Sequence, residues 1–152
     1  MTFLENLESR VVENLYLLDK GIRDCALMEC GDADENGNIP EEVEDMIYKH
    51  LFTHSNIRVV FKTFKCDGED GKYVDALFYK YNFQRILIEK LYTSDIPAHS
   101  FLYEYCLGTL LGYSGASMEE FLMNDTTEKL INTVNAAKAK DAKNKADNSA
   151  KQ

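Results

Sequence analysis

The sequence lacks the features that mark membrane, secreted and disulfide-stabilised proteins. It has no tryptophan, two prolines and four cysteines without CxxC spacing in 152 residues. Its apolar runs are far shorter than the roughly 18 to 20 residues that span a bilayer. The first fifteen residues, MTFLENLESRVVENL, contain acids where a secretory signal has a basic region. We therefore expect a cytoplasmic protein with reduced thiols and no membrane segment, since a chain of this size folds without disulfides.

Catalytic signatures are also missing from the sequence. It contains no nucleophile elbow, P-loop, HExxH motif or dinucleotide-binding fingerprint. The histidines His54 and His99 leave a small hydrolase or phosphoesterase as one alternative function, although a surface or half-buried ring is the favoured interpretation of His99. A non-enzymatic role is the favoured hypothesis.

The negative charge is concentrated in the first third of the chain. The formal net charge is -9, and the first 50 residues contain 13 acidic against 4 basic residues, whereas residues 127–152 contain 3 against 6. Such an acidic surface repels phosphate backbones and attracts basic proteins. The main body is therefore not expected to bind nucleic acid or an anionic membrane directly.

The apolar spacing of the N-terminal segment predicts a long first helix. Thr2 and Glu5 form a capping box, and apolar residues then recur every three or four positions through Ile22 and Cys25, with Gly31 as a stop signal. Four members of the stripe recur every seven residues: Leu4, Val11, Leu18 and Cys25. This spacing allows self-association through helix one, but an intramolecular core uses the same stripe.

The rest of the pattern predicts an α+β domain of order ααββαα. A second helix follows Pro40, and the strand-like segments IRVVFKTFK and KYVDALFYKY flank CDGEDG as a β-hairpin. Helices are predicted from Phe83, with the apolar face Phe83, Ile86, Leu87 and Leu91, and after Pro97. Two more are predicted, a short one after Ser117 and a last one from Thr126 or Thr127. We expect one globular domain over 1–137 and a flexible tail over 138–152, because Ala and Lys there cannot bury a face.

The segment DADENGNIP resembles part of an EF-hand calcium loop. Asp32, Asp34, Asn36 and Gly37 match positions 1, 3, 5 and 6 of that loop, and with Asn38 they supply candidate oxygen ligands. Position 12, which should be a bidentate Glu, is instead Val43. The resemblance implies calcium binding through Asp32, Asp34, Asn36 and Asn38, and the alternative is an Asp/Asn/Gly-rich turn before a helix.

Two cysteines and two histidines have a spacing that is loosely like a zinc site. Cys25 and Cys30 precede His50 and His54, which lie one helical turn apart. Cys25 also lies on the apolar stripe of helix one, where a small buried residue is equally well explained. No other cofactor is indicated.

The segment FLYEYCLGTLLGYSGASMEEFL, together with the small size, acidity and many tyrosines, resembles the small accessory proteins of bacteriophages. That resemblance implies an acidic inhibitor, for example a counter-defence factor, that docks on a basic surface of a host protein. Tyrosine is favoured at interfaces. The predicted interaction surface comprises Asp32, Asp34, Glu35, Glu41, Glu42, Glu44, Asp45, Tyr103 and Tyr113.

Overall fold

An antiparallel sheet with helices on both faces organises the protein in the computed structural model, which describes residues 1–65, 71–98 and 100–150. In chain order the elements are α1 (Phe3–Asp19), β1 (Cys25–Asp32), α2 (Glu41–Leu51), β2 (Arg58–Lys65), β3 (Lys72–Tyr79), α3 (Asn82–Tyr92), α4 (Phe101–Leu111) and α5 (Gly115–Ala150). The predicted α+β class is confirmed.

Strand β3 is the centre of the sheet, whose order is β1-β3-β2. Both neighbours pair with it antiparallel, and every residue of β3 from Val74 to Tyr79 is buried. A continuous buried run of this kind requires cover on both sheet faces. Helices α1 and α2 cover one face, and α3 and α4 cover the other.

Each sheet face has its own hydrophobic core. The core beneath α1 and α2 contains Leu7, Val11, Leu15, Leu18, Ala26, Met28, Cys30, Ile39, Val43, Met46, Ile47, Ile57, Val74, Ala76 and Phe78. The core beneath α3 and α4 contains Cys25, Leu77, Tyr79, Ile88 and Leu111. Successive residues of β1 and β3 alternate between the two cores, as expected from the period of two in a strand.

The prediction that helix one continues past Ile22 is wrong. Helix α1 ends at Asp19, Gly21 has a φ of +68°, and Ile22 is 62% exposed. The chain then enters β1 at Cys25, which pairs with Tyr79 of β3. The helical spacing of the apolar residues is overridden by a long-range pairing that local sequence does not encode.

The seven-residue stripe of helix one packs inside the protein. Val11 and Leu18 are fully buried in the core, Leu4 packs against it, and Cys25 belongs to β1. The structure therefore uses these residues for intramolecular packing, which was the alternative to self-association.

Several local predictions are confirmed. Thr2 Oγ1 accepts a hydrogen bond from Glu5 N at 3.1 Å, and Glu5 Oε2 accepts one from Thr2 N at 2.9 Å, which completes the capping box. Helix α2 follows Pro40 and buries Val43, Met46 and Ile47. Strands β2 and β3 form the predicted hairpin, and most of the predicted connection CDGEDG lies outside the described residues.

The predicted inner face of α3 is largely wrong. Gln84, Ile88 and Leu91 are its buried residues, whereas Phe83, Ile86 and Leu87 are 59%, 41% and 43% exposed. The helix is rotated so that Ile88 meets the core beneath α3 and α4. The position of β3, which local spacing does not encode, decides which face of α3 is buried.

The two last predicted helices are a single helix, α5, which also includes most of the predicted tail. Met118 and Leu122 are buried at its start, and the described side chains from Ile131 onward are exposed. Among the described residues, no helix has both the length and the apolarity needed to cross a bilayer.

Candidate functional site

The predicted acidic residues lie on the end of β1, the following loop and the start of α2. We call Asp32, Asp34, Glu35, Glu41, Glu42, Glu44 and Asp45 the acidic segment. All are exposed except Glu44, which is half-buried. None forms an ion pair with any described residue, whereas acids elsewhere contact a basic side chain: Glu8 contacts His50 at 2.8 Å, Asp19 contacts His54 at 2.6 Å and Glu89 contacts Arg85 at 3.2 Å.

The loop within the acidic segment is held in one conformation by hydrogen bonds. Asp34 Oδ1 accepts from the backbone N–H groups of Asn36 and Asn38, each at 2.9 Å. Thr63 Oγ1 of β2 donates to the Gly37 carbonyl at 3.1 Å, and the Ala33 N–H donates to the Lys72 carbonyl at 2.9 Å. The loop is therefore an Asx-type turn that is tied to the hairpin.

The candidate calcium ligands are close in the chain, but one of their oxygens already accepts hydrogen bonds from the backbone of the turn. One oxygen of Asp34 serves the turn, and Asp32, Asn36 and Asn38 are exposed around it. Across residues 1–65, 71–98 and 100–150, no group of three or more His, Cys, Asp or Glu side chains is arranged to hold a metal ion. The geometry is that of the turn that the sequence left as an alternative, and calcium binding stays a prediction.

The four candidate zinc ligands are not brought together. Cys25 and Cys30 lie on opposite faces of β1, since they belong to different cores. His50 Nε2 and His54 Nδ1 each bond a carboxylate of α1. Burial raises the pKa of both thiols to about 11, so neither is a thiolate near neutral pH.

The histidines proposed for hydrolysis have different outcomes. His54 lies beside Asp19 after α2, where the pair connects α1 to the end of α2. His99 lies outside the described residues.

Helix α2 presents one exposed stripe that combines carboxylates with aromatic rings. Glu41, Asp45, Tyr48 and Phe52 are spaced by four, three and four residues, so they share one face of the helix and its C-cap. Phe52 is 90% exposed and Tyr48 is 49% exposed. Tyr48 also packs edge-on against Phe61 of β2, with ring centroids 6.1 Å apart. We call these four residues the α2 stripe.

The two predicted interface tyrosines lie on the other side of the sheet. Tyr103 belongs to α4 and is half-buried, and burial together with Glu104 and Asp75 raises its pKa. Tyr113 follows α4 and is 41% exposed, with the Arg23 guanidinium 4.7 Å from the centre of its ring. The structure therefore separates these tyrosines from α2.

A cavity of about 560 Å³ opens between the sheet and the α4 and α5 helices. Its apolar wall is formed by Leu27, Leu107, Leu111, Met118 and Phe121. Its polar residues include Arg10, Glu29, Asp75 and Glu104. We call it the Asp75 cavity, and its size is typical of small-molecule sites.

Asp75 is the unusual group of this cavity. Its side chain lies on central strand β3, it is 9% exposed, and its Oδ1 has no hydrogen-bond partner among the described residues. Burial, with a smaller contribution from the nearby Glu29 carboxylate, raises its pKa from 3.8 to about 6. A buried carboxylate without a partner is costly, and such groups concentrate at functional sites.

A β-bulge places Glu29 and Asp32 on the same sheet face as Asp75. Glu29 pairs with Asp75 and Asp32 pairs with Tyr73, so β1 takes three steps where β3 takes two. Gly31, with a φ of +91°, lies within the bulge, and a Cβ there would approach Phe3 Cζ to 2.7 Å. If β1 were regular over the three steps from Glu29 to Asp32, its alternation would direct Asp32 to the opposite face.

The cavity was not predicted from the sequence, although one signal was present. Asp75 is a single acid in the apolar strand segment YVDALFY, where a charged residue on a strand buried on both faces needs an explanation. The residues that line the cavity beside Asp75 come from β1 and α4, which are far from Asp75 in the chain. Only the fold brings them together.

Comparisons with protein-family models, curated proteins and solved structures find no match to this chain.

Proposed function

We propose that this protein is a non-enzymatic binding module that docks on a basic surface of a partner protein through the acidic segment and the α2 stripe. The observation that carries the proposal is that seven carboxylates, spread over 14 consecutive residues, form no ion pair with the described residues. Their negative potential is therefore available to an external basic surface.

The aromatic residues of the α2 stripe supply the second part of the argument. A fully exposed Phe52 next to a half-exposed Tyr48 is an apolar feature that gains free energy when a partner covers it. Carboxylates steer the encounter and set its orientation, and buried aromatic rings contribute most of the affinity. Both types of group lie on one helix face here.

A rigid loop also favours binding. The Asx-type turn and its bonds to Thr63 and Lys72 hold Asp32, Asp34 and Glu35 before any partner arrives. Less conformational entropy is then lost on association.

The consequence of docking would be inhibition wherever the basic surface normally holds an anion. Carboxylates would occupy the positions of phosphate groups and exclude a nucleic acid or nucleotide. An acidic inhibitor or accessory protein of the bacteriophage kind is the specific form that we propose. The setting is cytoplasmic, which is consistent with the free, buried Cys25 and Cys30.

The test begins with capture of partners from the native host and continues with binding kinetics on the purified partner. The variant Glu41→Lys/Asp45→Lys should lower the association rate about tenfold or more at low salt, and the wild-type rate should fall as salt rises. The variant Phe52→Ala should raise the dissociation rate about tenfold or more. The matched control Glu13→Lys/Asp95→Lys makes the same charge change at exposed sites outside the acidic segment.

Circular dichroism confirms that each variant is folded. Binding that is independent of salt, or that is weakened equally by the control, would contradict the electrostatic part of the proposal. Binding unchanged by Phe52→Ala would contradict the aromatic part.

A further inference from the structure

We propose that the Asp75 cavity is a binding site for a guanidinium group carried on a short apolar chain. This site is separate from the acidic segment and the α2 stripe, so the inference does not depend on the proposed docking surface. The unpartnered carboxylate, the charge of the lining and the apolar walls all favour such a ligand.

The first observation is that Asp75, which lines the cavity, has an unsatisfied acceptor oxygen. Nine-tenths of the residue is buried, and Oδ1 lacks a partner in the described part of the chain. Lys62 is the cross-strand neighbour of Asp75 on β2, but it is exposed and forms no ion pair with Asp75. A ligand with N–H donors would supply the missing partner.

The second observation is the sign of the charge around the cavity. Glu29 adds a second carboxylate to that of Asp75, and Arg10 is the one basic residue among the described residues of the lining. Arg10 donates to the Glu29 backbone carbonyl at 3.4 Å and forms no ion pair with a described residue. The excess of carboxylates disfavours anionic ligands and favours a cation.

The third observation is the apolar wall. The apolar residues that line the cavity come from three elements: Leu27 from β1, Leu107 and Leu111 from α4, and Met118 and Phe121 from α5. A ligand with an aliphatic chain would bury that chain here, as the arginine side chain does when its stem packs on apolar surface.

A guanidinium fits this combination better than an ammonium. Its planar fork bonds a carboxylate through two parallel N–H groups, and it is more weakly hydrated, so that its entry into a partly buried site costs less. Two sources carry the same group, a free alkylguanidine and the arginine side chain of a protein.

The experiment is a titration of the full-length, ¹⁵N-labelled protein with butylguanidine, followed by two-dimensional NMR. Chemical-shift changes should cluster at Leu27, Glu29, Asp75, Gly108 and Leu111. Butylurea, which has a similar shape without the charge, should cause at least tenfold weaker changes at equal concentration. Butylamine should bind more weakly than butylguanidine.

Variants separate the site from general effects of charge. Asp75→Asn should weaken butylguanidine binding at least tenfold, and Glu29→Gln should weaken it less. Asp45→Asn makes the same chemical change on α2 and should leave the affinity unchanged. The amide spectrum of each variant shows whether it is folded, and Glu29→Gln keeps the test decisive if Asp75→Asn does not fold.

The sources are compared with N-acetyl-arginine amide. Tighter binding of this compound than of butylguanidine supports an arginine side chain as the natural ligand, and weaker binding supports a free guanidine. Equal binding of butylurea and butylguanidine would overturn the proposal. So would full affinity in Asp75→Asn, or shift changes that map to α2 instead of the cavity.

Discussion

Replacing Asp75 with asparagine should raise the free energy of unfolding relative to that of the wild type, and it should do so more at pH 8 than at pH 4. Asparagine has nearly the shape of a protonated aspartic acid but does not ionise, so the variant removes the cost of placing a charge in the cavity. The stability difference between variant and wild type is compared at two pH values, because this comparison cancels any pH-independent effect of the new amide on stability.

The sign follows from the raised pKa of Asp75. In the folded protein this pKa is about 6, above its ordinary value of 3.8, so the folded state holds the proton more tightly than the unfolded state. As the pH rises from about 4 through 6, the wild type loses stability, and the loss is complete about one pH unit above the folded-state pKa. The variant does not undergo this loss.

The magnitude follows from the same two values. The separation between 3.8 and about 6 corresponds to roughly 3 kcal/mol at 1.36 kcal/mol per pH unit. Most of it falls between pH 4 and pH 8. The free energy of unfolding of Asp75→Asn minus that of the wild type should therefore be about 2 to 3 kcal/mol larger at pH 8 than at pH 4.

The assay is urea unfolding of both proteins at pH 4, 6 and 8, with the slope against urea checked for constancy. Groups that face Asp75 titrate in both proteins, and they come from several elements: Glu29 of β1, Lys62 of β2, Tyr92 of α3, Tyr103 and Glu104 of α4, and Arg10 of α1. Asp45→Asn measures the effect of losing one exposed negative charge. A stability difference between Asp75→Asn and wild type that is the same at pH 4 and pH 8 would show that the pKa of Asp75 is not raised, since the carboxylate would then already have a partner in solution.

Two other predictions concern packing and thiol chemistry. Gly108→Ala should destabilise the fold by about 1 kcal/mol in urea unfolding, because a Cβ at Gly108 overlaps Met118 Sδ and the Met118 side chain must leave its position against α4. Adding Met118→Ala should remove this overlap, and a single variant as stable as the wild type would contradict the close packing. Burial raises the pKa of the Cys25 and Cys30 thiols to about 11, so both should resist iodoacetamide at pH 8 until the protein is unfolded in urea. Peptide mapping that finds either cysteine labelled in the folded protein would contradict their burial.

The sequence predicts those elements whose signals are local. The capping box at Thr2, the proline that precedes α2 and the hairpin strands around residues 66–71 each have a short-range chemical cause, and the structure has all three. Strand β1 has no such cause. Its partner β3 is about 50 residues away, and the spacing of Leu18, Ile22 and Cys25 continues the helical period by coincidence.

The candidate site likewise has features that local sequence predicts and features that depend on the fold. The exposure of the acidic segment follows from its charges and its turn residues, and the spacing of α2 predicts which of its residues face inward. The Asp75 cavity depends on which strand lies in the centre and which helix covers it, and neither follows from local periodicity. Tyr103 and Tyr113 were grouped with the acids by residue type, but β3 and its neighbours lie between them and α2.

The bulge at Gly31 means that the conformation of one glycine sets the distribution of charge on this edge of the sheet. A related chain of the same length with a regular strand from Glu29 to Asp32 could keep the same core contacts up to Met28 while directing Asp32 toward the α1 and α2 layer. Because glycine adopts this positive φ far more readily than other residues, a substitution at Gly31 would redirect the electrostatic field of the molecule more strongly than most substitutions. Variation at this one position would be a direct route to a change of binding partner.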